Sequence, residues 1–376
     1  MKPPITSKWP ISRLSRHVRF HNGTDYKAVE NPNGKYPVYG SGGIFTYANR
    51  YLHSGIGVLF GRKGTIDKPL FVEGKFWTVD TMYFVEPDTE VLLPKYLYYW
   101  ALRFPFDYYS TNTAVPSMTQ YDIGSEPIAL PPLDEQQLIV DVLDHELSEI
   151  DGLIADQQHL LNLITERFNA ELVSLCLPND TPYVPLKRFA EVTLGKMKSP
   201  TNKGGMFLAP YMRAANIQPN GVFTYQSDTK KMWFTADELR YLDLRKNDVL
   251  VVEGGAGFGR SAILTEDLQG WGFQNSINRV RAKKDLADPQ FINFTIQALL
   301  MSGRLNLEIN QSTIPHLTAE KLSMVKISNL NLDDQMEISS ILLNKRKEVR
   351  KIKENINNSI DILTELKELK IISGVK

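Results

Sequence analysis

The segment AVPSMTQYDIGSEPIALPPLDEQQLIVDVL, residues 114–143, recurs without a gap as TIPHLTAEKLSMVKISNLNLDDQMEISSIL, residues 313–342, at a constant separation of 199. Eight of the thirty aligned positions are identical: Pro116, Thr119, Ile128, Leu133, Asp134, Gln136, Ile139 and Leu143 with their partners. Chance alone gives roughly two at ordinary residue frequencies. Exchanges such as Val115 for Ile314 and Met118 for Leu317 keep the same positions apolar. The chain therefore reads as a tandem duplication. At 376 residues with 42% apolar content it is long enough to bury two cores.

Texture divides the sequence again. Residues 1–133 and 179–332 are rich in Gly, Pro and aromatics, with short β-type runs such as GVLFG, MYFVEP, DVLVVEG and NRVRA. Residues 134–178 and 333–376 are poor in Gly and Pro and read as long helices. Net charge is zero overall but segregated: +3 over 1–133, −9 over 134–175, +5 over 176–332 and +1 over 333–376. Modest positive charge on both globular parts is compatible with phosphate contacts and does not by itself establish them.

In the first helical segment Leu143, Leu147, Ile150, Ile154, Leu161, Ile164, Phe168, Leu172 and Leu175 follow steps of mostly three and four. Shifted by 199, Leu143, Ile150, Leu161 and Ile164 fall on Leu342, Val349, Ile360 and Leu363. A heptad-like seam of this length predicts helices about 60 Å long, read as an intramolecular coiled-coil pair or else as a generic spacer or homodimerising coil. Asp134 and Asp333 suit the two helix N-termini. Asp141, Glu146, Glu149 and Asp156 read as an outer acidic face, either a docking surface or an ordinary solvated one.

The globular parts match more loosely. WPISRL (9–14) aligns with VPLKRF (184–189) at a separation of 175, implying 24 residues gained inside the second copy. GVLFGRKGTID (57–67) parallels DVLVVEGGAGFGRSA (248–262), a strand running into a glycine turn.

The order of globular domain, PPLDEQQ helix entry, long helix, second globular domain and DDQ helix entry resembles the specificity subunit of type I restriction-modification systems along essentially the whole chain. The resemblance implies an α+β fold with two mixed α/β target-recognition domains (1–133 and 179–332) in pseudo-twofold arrangement, separated by two long antiparallel coiled-coil helices (134–178 and 333–376). It further implies that each domain reads half of a bipartite, asymmetric double-stranded DNA site. The helices would set the gap and dock two methyltransferase subunits, which bind S-adenosylmethionine, and restriction subunits with translocase and nuclease activity would join. A cytoplasmic, non-catalytic subunit with no cofactor of its own follows.

The residues agree with a chain that depends on partners for chemistry. One cysteine, Cys176, gives no disulfide framework and no zinc site, and the six histidines, including His17, His21 and His53, lack ligand spacing. The start MKPPITSKWP carries no apolar leader core, and no run of eighteen apolar residues exists. GGAGFG (254–259) lacks the full dinucleotide-binding spacing, and no GxxxxGK[ST] or adenine-pocket NPPY is present. Asp67 with Glu73 and Lys75 mimics a nuclease cation site that the second copy does not repeat. A stand-alone DNA-binding protein or nuclease, or an antirestriction DNA mimic, are the alternatives; the mimic fits poorly with two basic domains.

Arg, Asn and Gln pair bidentately with guanine and adenine edges in the major groove. Candidate DNA-contacting residues near glycine turns and the repeated Pro116/Pro315 elements are Arg62, Lys63, Asn112 and Ser117 in the first domain. Arg213, Asn216, Arg260, Asn310, Gln311 and His316 are those of the second. Each is also readable as a solvated or turn-stabilising side chain, and Tyr39, Phe45, Tyr47 and Trp77 are expected to pack. Leu143, Ile150, Leu161, Ile164, Leu342, Val349, Ile360 and Leu363 are expected to pack the helix pair, and no metal ligand is assigned.

Overall fold

A computed structural model describes residues 7–109, 115–219, 221–225, 229–309 and 316–375. They form two units: residues 1–158 with 357–376, and residues 159–356. Each holds one mixed α/β head together with a stretch of each of two long helices.

In the first unit the strands are β1 (Ile11–Arg13), β2 (Val18–Asn22), β3 (Tyr36–Gly40), β4 (Gly43–Ala48), β5 (His53–Gly61), β6 (Leu70–Thr78), β7 (Met82–Pro87) and β8 (Pro127–Ala129). The helices are α1 (Pro94–Leu102), α2 (Phe106–Tyr109), α3 (Gln120–Ser125) and the first part of α4 (Leu133–Cys176). Six strands make one sheet in the order β2-β7-β5-β6-β3-β4, while β1 pairs with β8 alone. Central strand β5 is apolar at consecutive positions because both of its faces are covered. Val58 and Phe60 meet Tyr96, Leu97 and Trp100 of α1 together with Leu143 and Leu147 of α4. Leu59, on the other face, packs with Val38, Phe76 and Phe84. Burying such a side chain completely contributes about 1.5–3 kcal/mol.

The second unit contains β9 (Tyr183–Pro185), β10 (Ala190–Leu194), β11 (Phe207–Met212), β12 (Lys230–Phe234), β13 (Val249–Val252), β14 (Ser261–Ile263), β15 (Gly272–Phe273), β16 (Ile277–Ala282) and β17 (Lys326–Ser328). Its helices are α5 (Ala236–Tyr241), α6 (Pro289–Met301), α7 (Arg304–Ile309), α8 (Ala319–Met324) and the first part of α9 (Leu332–Gly374). Here the sheet is divided into β10-β16-β13-β14 and β12-β11-β15, with β17 paired to β9. The single strand β6 of the first head is replaced by the two short strands β14 and β15, which pair with β13 and β11 respectively.

The same backbone contacts recur in both heads and give the repeat its true register. Leu14 N–H donates to Glu126 O, and Leu186 N–H to Val325 O. Leu14 and Leu186 are both fully buried. Their separation is 172, which corrects the 175 read from WPISRL and VPLKRF. The sequence match paired Pro10 with Pro185, whereas the buried leucine of each short 3-10 turn fixes the frame three residues away. The second copy has therefore gained 27 residues (199 against 172), and the strand pairings place them. The separation is 173 at Tyr39 and Met212, 191 at Val58 and Val249, and 195 at Leu93 and Asp288. Eighteen of the additions thus fall between β11 and β13.

After that point the frame is constant. Thr119 and Thr318 cap α3 and α8, accepting from Asp122 N–H and Lys321 N–H. Gln136 and Gln335 are buried near the starts of α4 and α9 and make matching clamps. The Gln136 amide donates to Val91 O and Pro131 O at 2.9 Å and accepts from Leu93 N–H at 2.8 Å. That of Gln335 donates to Leu330 O at 2.9 Å and Leu286 O at 3.4 Å and accepts from Asp288 N–H at 3.0 Å.

Within each unit the two long helices, of 44 and 43 residues, run antiparallel. In the first, Lys370 reaches Glu146 and Lys367 reaches Asp151, each at 2.6 Å, above a core that includes Leu143, Leu147, Ile371 and Val375. In the second, Leu172 and Cys176 share a core with Leu342, and Lys345 pairs with Glu171. Leu143, Ile150 and Leu342 are buried, whereas Leu161, Ile164, Val349, Ile360 and Leu363 are half-buried. Ile164 and Val349 line one groove with Phe168 and Ile352. Glu146 faces Lys370 and so does not belong to an outer acidic face; Glu149 lies 3.6 Å from His145, and Asp141 accepts from Gln137.

Candidate nucleic-acid interface

Strand β5 ends at Gly61, where an added Cβ would lie 2.4 Å from Thr65 O, so the chain turns there against its own backbone. The next residue, Arg62, is pinned from both sides: its N–H donates to Thr81 O at 2.7 Å, and its carbonyl accepts from Met118 N–H at 3.0 Å. Lys63 bridges to Ser117, and Gly64 N–H donates to Pro116 O. Arg62, Lys63 and Ser117 are therefore brought into one surface strip. The Arg62 guanidinium leans over Tyr83 at 6.0 Å, and Arg62 and Lys63 are exposed. Burial raises the Tyr83 phenol, while the Arg62 charge opposes the shift.

In the second head the same frame holds different side chains. Glu253, at the end of β13, donates its N–H to Ser276 O at 2.9 Å, and its carbonyl accepts from Leu317 N–H at 2.8 Å. These partners stand 195 and 199 residues beyond Thr81 and Met118, so Glu253 occupies the Arg62 position. His316, adjacent to Leu317, is the counterpart of Ser117 and is exposed. Partial burial raises the Glu253 carboxyl, and the nearby His316 opposes this. The Glu253 carboxylate makes no hydrogen bond or ion pair with any described residue. Composition-based selection of Arg, Asn and Gln missed Glu253, although the pairing of GVLFGRKG with DVLVVEGG already set it opposite Arg62.

Arg213 lies at the start of the long second-head insertion. The next residue, Ala214, approaches Ser276 Oγ at 3.4 Å, close to the Glu253 frame. Asn216 is buried, accepting from Arg213 N–H and donating to Thr224 O. Its burial and these two bonds place it in turn stabilisation. Arg260 is half-buried with its side chain over Gly257. Asn112, Asn310 and Gln311 lie outside the described residues. The Gly254–Gly259 turn has a packing reason: at Gly259 (φ +71°) a Cβ would meet Leu305 at 2.7 Å. Asp67, Glu73 and Lys75 are exposed on and before β6, with Lys75 over the Tyr51 ring. Among the described residues, no three His, Cys, Asp or Glu side chains converge as cation ligands.

The two heads also differ sharply at a second cluster on the same sheet positions. In the first head His21 bonds Glu86 at 2.9 Å and His53 bonds Thr78 at 3.0 Å, stacked among Phe76 and Phe84. Burial, then the neighbouring His21, lowers the His53 pKa to about 4, with Glu86 opposing. In the second head the registers put Arg281 at the Glu86 position, Arg279 at that of Phe84 and Asp248 at that of Gly57. Arg281 grips Asp248 with two bonds of 2.7 Å, and its pKa is raised first by those bonds. Burial, then the Arg281 charge, lowers that of Arg279, which also bonds Asp243 and Thr193.

Two related α/β units that present different side chains from one backbone frame define a duplicated recognition module. Residues 8–159 and 179–361 match the family model of the type I restriction modification DNA specificity domain. The chain belongs to that family. It is similar to the type I restriction enzyme EcoDI specificity subunit of Escherichia coli, 24% identical over 45% of this chain and 38% of that protein. It is also similar to a putative type I restriction enzyme specificity subunit of Haemophilus influenzae, 28% identical over 30% of each. These matches thus span well under half the length of both relatives. Among solved structures, a chain from a study of complex assembly and conformational transition in the type I R-M system aligns with a TM-score of 0.75 at 14% identity, covering 100% of this chain and 99% of that one. The HsdS subunit of Thermoanaerobacter tengcongensis aligns at 0.53 and 16% identity, with 98% and 96% covered. Both likenesses concern the fold. Among the described residues, no helix is long and apolar enough to cross a membrane.

Proposed function

We propose that this chain is the non-catalytic DNA-specificity subunit of a type I restriction-modification complex, each head reading one half of a bipartite, asymmetric duplex site. The observation that carries this is the pair of strand ends at Arg62 and Glu253: identical backbone bonding, opposite side-chain chemistry. Two heads alike in frame and unlike in surface suit two different half-sequences, whereas two identical readers would favour a palindrome. The long helices set the gap between half-sites and dock two methyltransferase subunits. Those subunits bind S-adenosylmethionine and methylate adenine, and restriction subunits join for cleavage. Arg62, Lys63, Ser117, Arg213, Arg260 and His316 are the described candidates for DNA contact, with lysine and arginine also taking phosphates.

The test is co-expression of the full chain with a modification subunit from the same genome, followed by mapping of N6-methyladenine by single-molecule sequencing. A split, asymmetric motif with a fixed gap is expected. A stable complex that leaves DNA unmethylated and unbound, or a continuous or palindromic motif, overturns the proposal.

A further inference from the structure

We infer that Arg62 and Glu253 are the matched specificity-determining residues of the two heads: Arg62 takes the acceptor edge of a guanine in one half-site, and Glu253 takes the exocyclic amino group of a cytosine in the other. This rests on the DNA-reading function proposed above and names which side chains carry part of it.

Three observations lead here. First, the two residues are equivalent by main-chain bonding as well as by the pairing of GVLFGRKG with DVLVVEGG, each held by a donor and an acceptor from the same two neighbouring segments. Fixing a backbone this way lets the side chain change while its point of origin stays put. Second, the chemistry is complementary. A guanidinium offers only donors and matches guanine N7 and O6, while a carboxylate offers only acceptors and matches the cytosine N4 amino group. Third, neither group is taken up within its own head. Among the described residues the Arg62 side chain makes a long 3.5 Å contact to Asp80 O and a distant approach to the Tyr83 ring. Glu253 is partly buried without any bonded partner among the described residues, within electrostatic reach of the His316 imidazole. A carboxylate left unpaired in a half-buried place at a strand end is destabilising in the free protein and is compensated when a donor arrives. Facing polyanionic DNA, Glu253 cannot serve general affinity, so its contribution is discrimination.

The experiment maps the methylation motif of the full chain and of two variants, Arg62→Gln and Glu253→Gln, each in complex with the modification subunit. Glutamine pairs bidentately with adenine N6 and N7. Each variant is expected to exchange one G·C pair for A·T in one half-site, with discrimination at that position changing roughly 5- to 150-fold and the other half-site unchanged. Glu253→Asp, which retains the acceptor, keeps the cytosine with weaker discrimination, and it decides the matter should Glu253→Gln abolish methylation. An unchanged motif in both glutamine variants, changes in both halves from one variant, or loss of the cytosine in Glu253→Asp overturns this inference and leaves bipartite reading standing. Absence of any split motif from the unaltered chain removes the underlying function, and the inference with it.

Discussion

Replacing Gln136 by leucine keeps the volume of the side chain and removes three hydrogen bonds at once. In the folded protein this orphans the Leu93 N–H and takes one partner each from Val91 O and Pro131 O, all bonded at 2.8–2.9 Å. Gln136 is fully buried, so water does not take the place of its amide, although exposed Val91 leaves its carbonyl open to solvent on one side. An unsatisfied buried donor costs about 1–3 kcal/mol, and the two weakened acceptors add to it, giving a loss of about 2–4 kcal/mol. For a unit of this size each kcal/mol is worth about 2–4 °C, so the transition should fall by about 5–15 °C. Calorimetry of the full chain measures the shift, and hydrogen exchange locates it: the Leu93 amide should lose protection in Gln136→Leu and the Asp288 amide in Gln335→Leu. The second substitution should be the milder, because its bond to Leu286 O is 3.4 Å long. A Gln136→Leu protein within about 0.5 kcal/mol of the parent, a change typical of unremarkable surface positions, would refute the assignment of this glutamine as a clamp.

Asp248→Ala removes two charge-assisted bonds from Arg281, which keeps Asp243 as its remaining carboxylate partner, and should destabilise by about 1.5–3 kcal/mol in urea unfolding. His53 should make stability pH-dependent. Its folded pKa, about 4, lies below the unfolded 6.5, so the unfolded chain binds the proton first. The contribution is complete above pH 6.5 and disappears as pH falls towards 4; allowing for solvent screening it amounts to no more than about 2 kcal/mol. Urea midpoints measured from pH 7 to 5 should decline less steeply in His53→Phe, and equal slopes would contradict the shift. Leu342→Ala, emptying a fully buried core position, should cost about 2–5 kcal/mol. Lys370→Ala, at a partly exposed ion pair, should cost about 0–1 kcal/mol; comparable losses for the two in thermal melts would show that charge rather than packing holds the helices.

What was legible in the sequence was what is local. Thr119 and Thr318 cap helices three residues downstream, and the glutamine clamps bond chain five residues upstream, so a gapless repeat preserves them and reveals them. The register of the first strands was misjudged by one 3-10 turn because it is settled by partners such as Glu126, far along the chain, while Pro10 and Pro185 offered a closer but accidental match. Arg62, Lys63 and Ser117 share one surface strip because the glycine turn and the Pro116 element bond to each other. Asn216 looked like a base reader on residue type alone, yet a buried turn uses both ends of its amide. Asp248 and Arg281 gave no sequence signal, since a pair 33 residues apart across two strands has no periodicity to betray it.

The duplicated frame also constrains how its contents can diverge. Frame side chains such as Gln136, Gln335, Thr119 and Thr318 are bonded to backbone and tolerate little change. The Arg62 and Glu253 side chains are not tied into their heads by strong bonds to described residues, so either can be exchanged alone. The charged and aromatic clusters on the sheets cannot. At Gly57 an added Cβ would lie 2.4 Å from Val85 O and 2.8 Å from the Phe84 ring, so the aspartate that stands at the equivalent position, Asp248, requires both the neighbouring strand to shift and Phe84 to be replaced. An arginine at the Glu86 position without the two carboxylates that hold Arg281, Asp248 and Asp243, would be an unpaired, partly buried charge, and breaking such a pair costs several kcal/mol. Gly57, Phe84 and Glu86 on one side, and Asp248, Arg279 and Arg281 on the other, therefore change as sets. The strand-end side chain can therefore change alone, whereas a change in the sheet interior must bring its whole set with it, which favours exchange of entire heads over accumulation of point substitutions there.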